Sequence, residues 1–283
     1  MLKLVLGTVQ FGLRYGINNQ SGVPDDNELS SIFKLAKSVG IEFLDTAQGY
    51  GNAEDRIGSL ANDTFRLITK FKKLDSPFPL LKELKCSLKK LNTNSIYGYM
   101  AHDGHALIEN PTWWEGLLIS KEQGLVKKIG YSLYTVNQLD ALLSKQMIPD
   151  IIQLPYNIFD RRFESYFIEL RRMGVEIHTR SVFLQGLYFM SPEGLPSKIK
   201  SLQPAIHELI NISSEFEIPI GTIALNYVIQ NPLIDKVVIG VDSEIQLKQN
   251  IEMLNQSELP SCLVNNINSI CIDDKSLLNP VNW

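Results

Sequence analysis

The stretch Ile41-Glu42-Phe43-Leu44-Asp45-Thr46-Ala47-Gln48-Gly49-Tyr50-Gly51 decides how this chain is read. An apolar run of strand character ends in a carboxylate, and a phenol follows in a turn bracketed by two glycines. Two later runs close in the same way. Leu67-Ile68-Thr69-Lys70 ends on an ammonium, and Ile96-Tyr97-Gly98-Tyr99-Met100-Ala101-His102 ends on an imidazole. Titratable residues at the carboxyl ends of successive short, buried strands predict a parallel barrel with its site on that rim.

The rest of the chain repeats the pattern. Strand-like runs cover residues 4–10, 41–45, 65–71, 96–102, 126–132, 151–154, 175–181 and 236–240. Helical spacing separates them. Pro24-Asp25-Asp26 reads as a helix start, followed by Leu29, Ile32, Phe33, Ala36 and Val39. Leu80, Leu84, Leu88 and Leu91 precede the fourth run, and Phe163, Phe167, Leu170 and Met173 precede the seventh. Eight strands alternating with helices in 283 residues predict a single α/β domain over residues 1–283, a (β/α)8 TIM barrel, which typically needs about 250 residues. Residues 191–216 exceed one loop and one helix and read as an insertion after the seventh strand. Pro192, Gly194 and Pro196 mark its loop, and Pro204 sits in the first turn of a helix running to Phe216. A second helix over 221–230 is stopped by Pro232, and residues 256–283 form a tail after the last barrel helix.

Composition narrows the partners. With 31 acidic against 27 basic residues, net charge −4 and no basic run, nucleic acid and anionic membrane surfaces are not expected partners. Cys86, Cys262 and Cys271 are scattered and form no CxxC pair, which speaks for a reducing compartment and against a disulfide framework or a metal site. The chain opens on the strand-like Leu2-Lys3-Leu4-Val5-Leu6, without a charged leader, and no segment reaches the roughly 20 apolar residues of a membrane span. A cytoplasmic location is the expectation; oligomeric state is not legible.

Asp45, Tyr50, Lys70 and His102 form an acid–base set. A free phenol has a pKa of about 10. A lysine ammonium beside it is expected to lower that value, and the lysine needs a counter-ion, which Asp45 supplies. His102 is placed to hydrogen-bond a carbonyl oxygen. His105 follows the Asp103-Gly104 turn and is the weaker candidate for that role. The set holds no nucleophile or metal centre, so it points to proton transfer coupled to hydride transfer from a cofactor. GxSxG, HExxH, GxxxxGK[ST] and GxGxxG are all absent. Without GxGxxG, a nicotinamide cofactor is expected to lie extended across a barrel rim.

The order Asp45-Thr46-Ala47-x-x-Tyr50-Gly51, then Lys70, then His102, resembles the aldo-keto reductase superfamily, and the likeness runs along nearly the whole chain. Leu6-Gly7-Thr8-Val9-Gln10-Phe11-Gly12 looks like the family's first strand. Gly130-Tyr131-Ser132, Gln153-Leu154-Pro155-Tyr156-Asn157 and Arg180-Ser181-Val182-Phe183-Leu184-Gln185-Gly186-Leu187 look like its cofactor-binding strand ends. Ile239-Gly240-Val241-Asp242-Ser243, with Gln246, Gln249 and Asn250, looks like its last phosphate and adenine segment. The resemblance implies an NAD(P)-dependent reductase of aldehydes or ketones, including sugar-type carbonyls, in which Tyr50 protonates the developing alkoxide. It also implies cofactor contacts from Gly7, Thr8, Asp45, Ser132, Gln153, Arg180, Ser181, Phe183, Gln185, Gly186, Gly240, Ser243, Gln246, Gln249 and Asn250. Gln153 and Ser132 would hold the nicotinamide carboxamide. Arg180 departs from the family, where many relatives carry a stacking aromatic, although a guanidinium plane also stacks.

Ser243 and Gln246 also fit a capping box, which leaves a helix N-terminus for a phosphate. NADP is what family habit implies. NAD stays open, because no Lys or Arg occurs from Val237 to Leu247 and Asp242 would oppose a 2′-phosphate if it pointed inward. Asn157 has a structural alternative as a tie for loop backbone. Trp113 and Trp114 are expected to begin a helix, and Trp283 either packs or closes the pocket. Substrate shape is assigned to residues 15–24, 103–110, 191–197 and the tail. Two other functions stay open: a non-catalytic cofactor-binding subunit, and a sugar dehydratase, lyase or dehydrogenase on the same barrel.

Overall fold

A computed structural model of the chain describes residues 2–19, 21–61, 64–73, 80–255 and 258–283. Eight short strands, β1 (Leu4–Gly7), β2 (Phe43–Asp45), β3 (Arg66–Phe71), β4 (Ile96–Ala101), β5 (Val126–Ser132), β6 (Ile151–Pro155), β7 (Glu176–Arg180) and β8 (Lys236–Gly240), pair in parallel in chain order. β8 closes on β1 through Leu4↔Val237 to Gly7↔Gly240. The result is the expected (β/α)8 barrel. Register carries the polar strand ends to one rim. Gly7 pairs with Asp45, Asp45 with Ile68 two residues before Lys70, Ser132 with Gln153, and Pro155 with Arg180. His102 extends this rim through its N–H to the Phe71 carbonyl at 3.0 Å.

Two apolar bodies hold the barrel. Inside it, Val5, Phe43, Ile68, Met100 and Ile151 pack as a plug. Outside, a larger core fills the space between strands and helices. α1 (Asp26–Ser38) shows why the pattern works. Asp25 caps it by accepting the Glu28 N–H, and Leu29, Ile32, Phe33 and Ala36 form its buried stripe. α2 (Ala53–Leu60) follows β2, and α3 (Leu80–Lys90) buries Leu80, Leu84 and Leu88. α4 (His105–Glu109) and α5 (Thr112–Glu122) follow β4, with Trp113 buried and Trp114 lying against Tyr131. α6 (Val136–Ser144) starts with a complete Thr135/Gln138 capping box. α7 (Phe167–Arg172) buries Phe167 and Leu170, whereas Met173, at its C-cap, is exposed.

Between β7 and β8 the chain makes short turns at Leu184–Phe189, Pro192–Gly194 and Ser197–Leu202, then α8 (Gln203–Glu215) and α9 (Ile220–Ile229). Pro204 does sit in the first turn of α8. α10 (Glu244–Glu252) follows β8, and α11 (Ser261–Ser269) in the tail lies against α8. Arg161 ties this tail down through the carbonyls of Asn268 and Ile270, at 3.1 and 3.2 Å. Among the described residues, no helix is long and apolar enough to cross a membrane.

Six of the strands differ in their bounds from the sequence reading, three of them for a visible local reason. The first strand stops at Gly7 rather than residue 10. Thr8 turns both its N–H and its hydroxyl onto the Asp45 carbonyl, and Val9–Phe11 coil so that Phe11 is buried. The second strand starts at Phe43, because the Ile41 N–H closes α1 on the Ala36 carbonyl. The seventh ends at Arg180, because Ser181 takes φ +66°.

Candidate active site

Strand order brings Asp45, Lys70 and Gln153 together under the rim. Lys70 Nζ lies 2.6 Å from Asp45 Oδ2 and donates to the Thr46 carbonyl at 3.0 Å, while Gln153 Nε2 donates to Asp45 Oδ1 at 2.8 Å. Both ion-pair side chains are almost wholly buried, at 1% and 4% exposure. Burial pulls the lysine below its usual range, and the Asp45 carboxylate works against that. A buried charge pair of this geometry is sustained only when its remaining lone pairs and protons are met, as Thr46 and Gln153 meet them here.

Tyr50 and His102 stand above this pair, their rings edge to face with centroids 5.5 Å apart. The Lys70 ammonium is 5.4 Å from the centre of the Tyr50 ring. Burial first, then the Asp45 carboxylate, push the phenol well above its usual range. Burial and the charges of Lys70 and Arg180 bring His102 down to about 4, with Asp45 opposing, so its imidazole is neutral at pH 7. The position of Tyr50 depends on two glycines. A Cβ on Gly12 would stand 1.9 Å from the Tyr50 carbonyl oxygen, and one on Gly51 (φ +60°) 2.3 Å from that of Gly12.

A cavity of about 590 Å³ opens over this group and runs across the rim to α10. Asp45, Tyr50, His102, Ser132 and Gln153 line its head, Arg180, Ser181, Phe183, Gln185 and Gly186 its middle, and Gly240, Gln246, Gln249 and Asn250 its far wall, with Gly7 and Thr8 beneath. The middle is a strained turn: Ser181, Leu184, Gln185 and Gly186 all have φ between +46° and +89°. Two N–H groups of this turn are used inside it, Leu184 on the Ser181 carbonyl at 3.0 Å and Gly186 on the Phe183 carbonyl at 2.8 Å, and such strain persists only where the surroundings hold the turn in place. Asn157 secures it by donating to the Ser181 carbonyl at 3.0 Å and accepting from Tyr188 at 2.9 Å.

The model of the Aldo/keto reductase family matches residues 3–272. The chain belongs to that family. It is 25% identical to the uncharacterized oxidoreductase YqkF of Bacillus subtilis, over 92% of this chain and 93% of that protein. It is 27% identical to the methylglyoxal reductase DkgA of Escherichia coli K12, over 54% of this chain and 56% of that protein. Among solved structures, the aldo-keto reductase AKR11C1 from Bacillus halodurans, in holo form, superposes with a TM-score of 0.76 over 96% of this chain and 94% of that one, at 22% identity. The structural likeness speaks for the barrel, the family match for an oxidoreductase.

Within this aldo-keto reductase several residues are placed differently from the sequence reading. The Tyr50 phenol stands above its ordinary range rather than below it: burial comes first, and the Asp45 carboxylate, 2.6 Å from Lys70 Nζ, adds to it. Lys70 and Ser243 do not line the cavity. Ser243 caps α10 by accepting the Gln246 N–H, but the Gln246 side chain bonds the Asp242 N–H, one residue off a capping box. Arg180 stacks on Tyr134, 4.5 Å from its ring centre, and donates to the Leu133 carbonyl at 2.9 Å. His105 is exposed beside Glu109.

Of the segments assigned to substrate shape, Tyr15, Gly16, Asn18 and Asn19 line the cavity, together with Leu13; among the described residues, none from 103–110, 191–197 or the tail does. Trp283 instead donates to the Leu277 carbonyl at 2.8 Å. The sequence reading missed Gln10, Tyr134, Phe189 and Met253, all in the lining. Tyr15 accepts from Gln185 at 2.8 Å and so ties the first loop across the strained turn. For Tyr134 a signal existed: it directly precedes the Thr135-x-x-Gln138 capping box.

Proposed function

We propose that this aldo-keto reductase reduces the carbonyl of a small aldehyde or ketone, with a nicotinamide cofactor held along the cavity and Tyr50 as the proton donor. The observation that carries the reading is the buried Asp45–Lys70 pair under a phenol and a neutral imidazole at the head of an extended cleft. The chain's residues suit the cofactor. Ser132 and Gln153 offer polar groups at the head, Ser181 and Gln185 a hydroxyl and an amide in the middle, and Gln249 and Asn250 amides at the far end.

When bound, the nicotinamide supplies the hydride. Tyr50, kept protonated by burial and by Asp45, gives its proton to the carbonyl oxygen as negative charge develops there. An alkoxide is a far stronger base than a phenolate, so a raised phenol pKa does not prevent this step. His102, neutral at pH 7, hydrogen-bonds the same oxygen and orients it. Lys70 keeps the Asp45 charge compensated. The relatives named methylglyoxal reductases support a small carbonyl compound as substrate. Following cofactor absorbance on a panel of aldehydes and ketones tests the reading. One cofactor oxidised per alcohol formed is expected, whereas turnover without net cofactor consumption would indicate a dehydratase or lyase instead.

A further inference from the structure

If the reacting ring lies against Tyr50 and His102, as proposed above, the other end of an extended dinucleotide reaches the far wall. Gly240, Asp242, Gln246, Gln249, Asn250 and Met253 form that wall. NADH and NADPH differ there by one group, a ribose 2′-hydroxyl against a 2′-phosphate. The wall offers a carboxylate and amides. Asp242 accepts from Asn19 at 3.1 Å, and burial pushes its pKa up with no cation to offset it. Arg180, near the reaction centre, is the one cation among the described lining residues. Lys248 is exposed, on the side of α10 away from Gln246, Gln249 and Asn250. Arg14, in the first loop, donates to the Asn19 carbonyl at 3.4 Å.

The start of α10 gives a phosphate little more. The Glu244 N–H donates to the Glu28 carboxylate of α1 at 2.6 Å, the Gln246 N–H to Ser243 Oγ at 3.2 Å, and the Leu247 N–H to the Ser243 carbonyl at 3.1 Å. The Leu247 bond is the helix's own first turn; of the donors that a helix N-terminus would turn to an anion, those of Glu244 and Gln246 are in use, and the first already holds a carboxylate.

We infer that this chain selects NADH over NADPH, with Asp242 as the discriminating residue: its carboxylate accepts a hydrogen bond from the 2′-hydroxyl and repels a 2′-phosphate, and Glu28 reinforces the repulsion. The same logic, an acidic side chain on the ribose hydroxyl against a basic one on the phosphate, separates the two cofactors on unrelated folds.

Dissociation constants for NADH and NADPH, from quenching of intrinsic fluorescence at low and high salt, test this on the full chain. One well-placed charged contact corresponds to a preference of about tenfold or more. Wild type is expected to bind NADH at least that much more tightly. Added salt should narrow the gap, because screening weakens the repulsion. Asp242→Asn should remove most of the preference, and Glu28→Gln should reduce it by less. Equal or tighter binding of NADPH by wild type overturns the inference and leaves the nicotinamide reading standing; so does an unchanged ratio in Asp242→Asn. Quenching by neither cofactor overturns both.

Discussion

Replacing Lys70 by Met removes a buried charge while keeping most of the side-chain volume. Asp45 would then lose the ammonium that had stood 2.6 Å away, with only the Gln153 amide still reaching it. Breaking a buried pair from one side costs about 3–5 kcal/mol, because the orphaned charge loses its compensation. In a chain of this size about 1 kcal/mol corresponds to roughly 2–3 °C, so Tm should fall by roughly 6–15 °C. Asp45 also raises the Tyr50 pKa, so an uncompensated Asp45 should push the phenol further up and depress turnover in both directions. The double variant Asp45→Asn/Lys70→Met separates the two effects. Calorimetry should show most of the lost stability returning, while steady-state kinetics should show turnover still low. Lys70→Met with wild-type Tm and turnover would refute the claim that this pair is a compensated, buried unit.

Three further outcomes follow from the geometry. His102, held to about 4 mainly by burial, should stay neutral from pH 5 to 9, so kcat/KM should show no inflection near 6.5; one there would mean that the imidazole is not in this buried place. Gly12→Ala would set a methyl 1.9 Å from the Tyr50 carbonyl oxygen, so kcat should drop and stability should fall by about 1–3 kcal/mol; wild-type kcat and Tm would show that the two loops are not packed as described. On the barrel floor, burial opposes ionisation of Glu176, but His178, Lys128 and Tyr97 outweigh it and hold the carboxyl near about 2. A depressed acid stabilises the fold above its unfolded pKa, so this contribution, about 3 kcal/mol, should be lost as pH falls from about 4.5 to 2. Glu176→Gln should flatten the acid limb of a Tm–pH curve, and an unchanged limb would count against the cluster.

Much of this was legible because it is local. Strand ends were marked by an apolar run closing on a titratable residue, as at Asp45, Lys70 and His102. Helix starts were marked by side chains that cap three residues on, as Asp25 does for Glu28. What escaped the sequence lies in contacts far apart in the chain. Asn19 meets Asp242 across 223 positions, and Glu28 meets the Glu244 N–H across 216. The turn after β7 was hidden for another reason. Three of its left-handed residues, Ser181, Leu184 and Gln185, are not glycine, so propensity gives no signal and only the surrounding ties hold them there. The raised Tyr50 pKa has no sequence signal, because burial, its largest cause, is set by the whole rim and not by the residue's neighbours in the chain.

The central claim is that Tyr50 delivers the proton, and Tyr50→Phe tests it most directly. The phenyl ring keeps the edge-to-face packing on His102, so cofactor dissociation constants should stay within about twofold of wild type, an energy change well below one hydrogen bond. Single-turnover reduction of a good aldehyde substrate should slow by about 10²–10⁴-fold, the usual contribution of a positioned general acid. A Tyr50→Phe enzyme that binds cofactor and reduces the aldehyde at the wild-type rate would contradict the account.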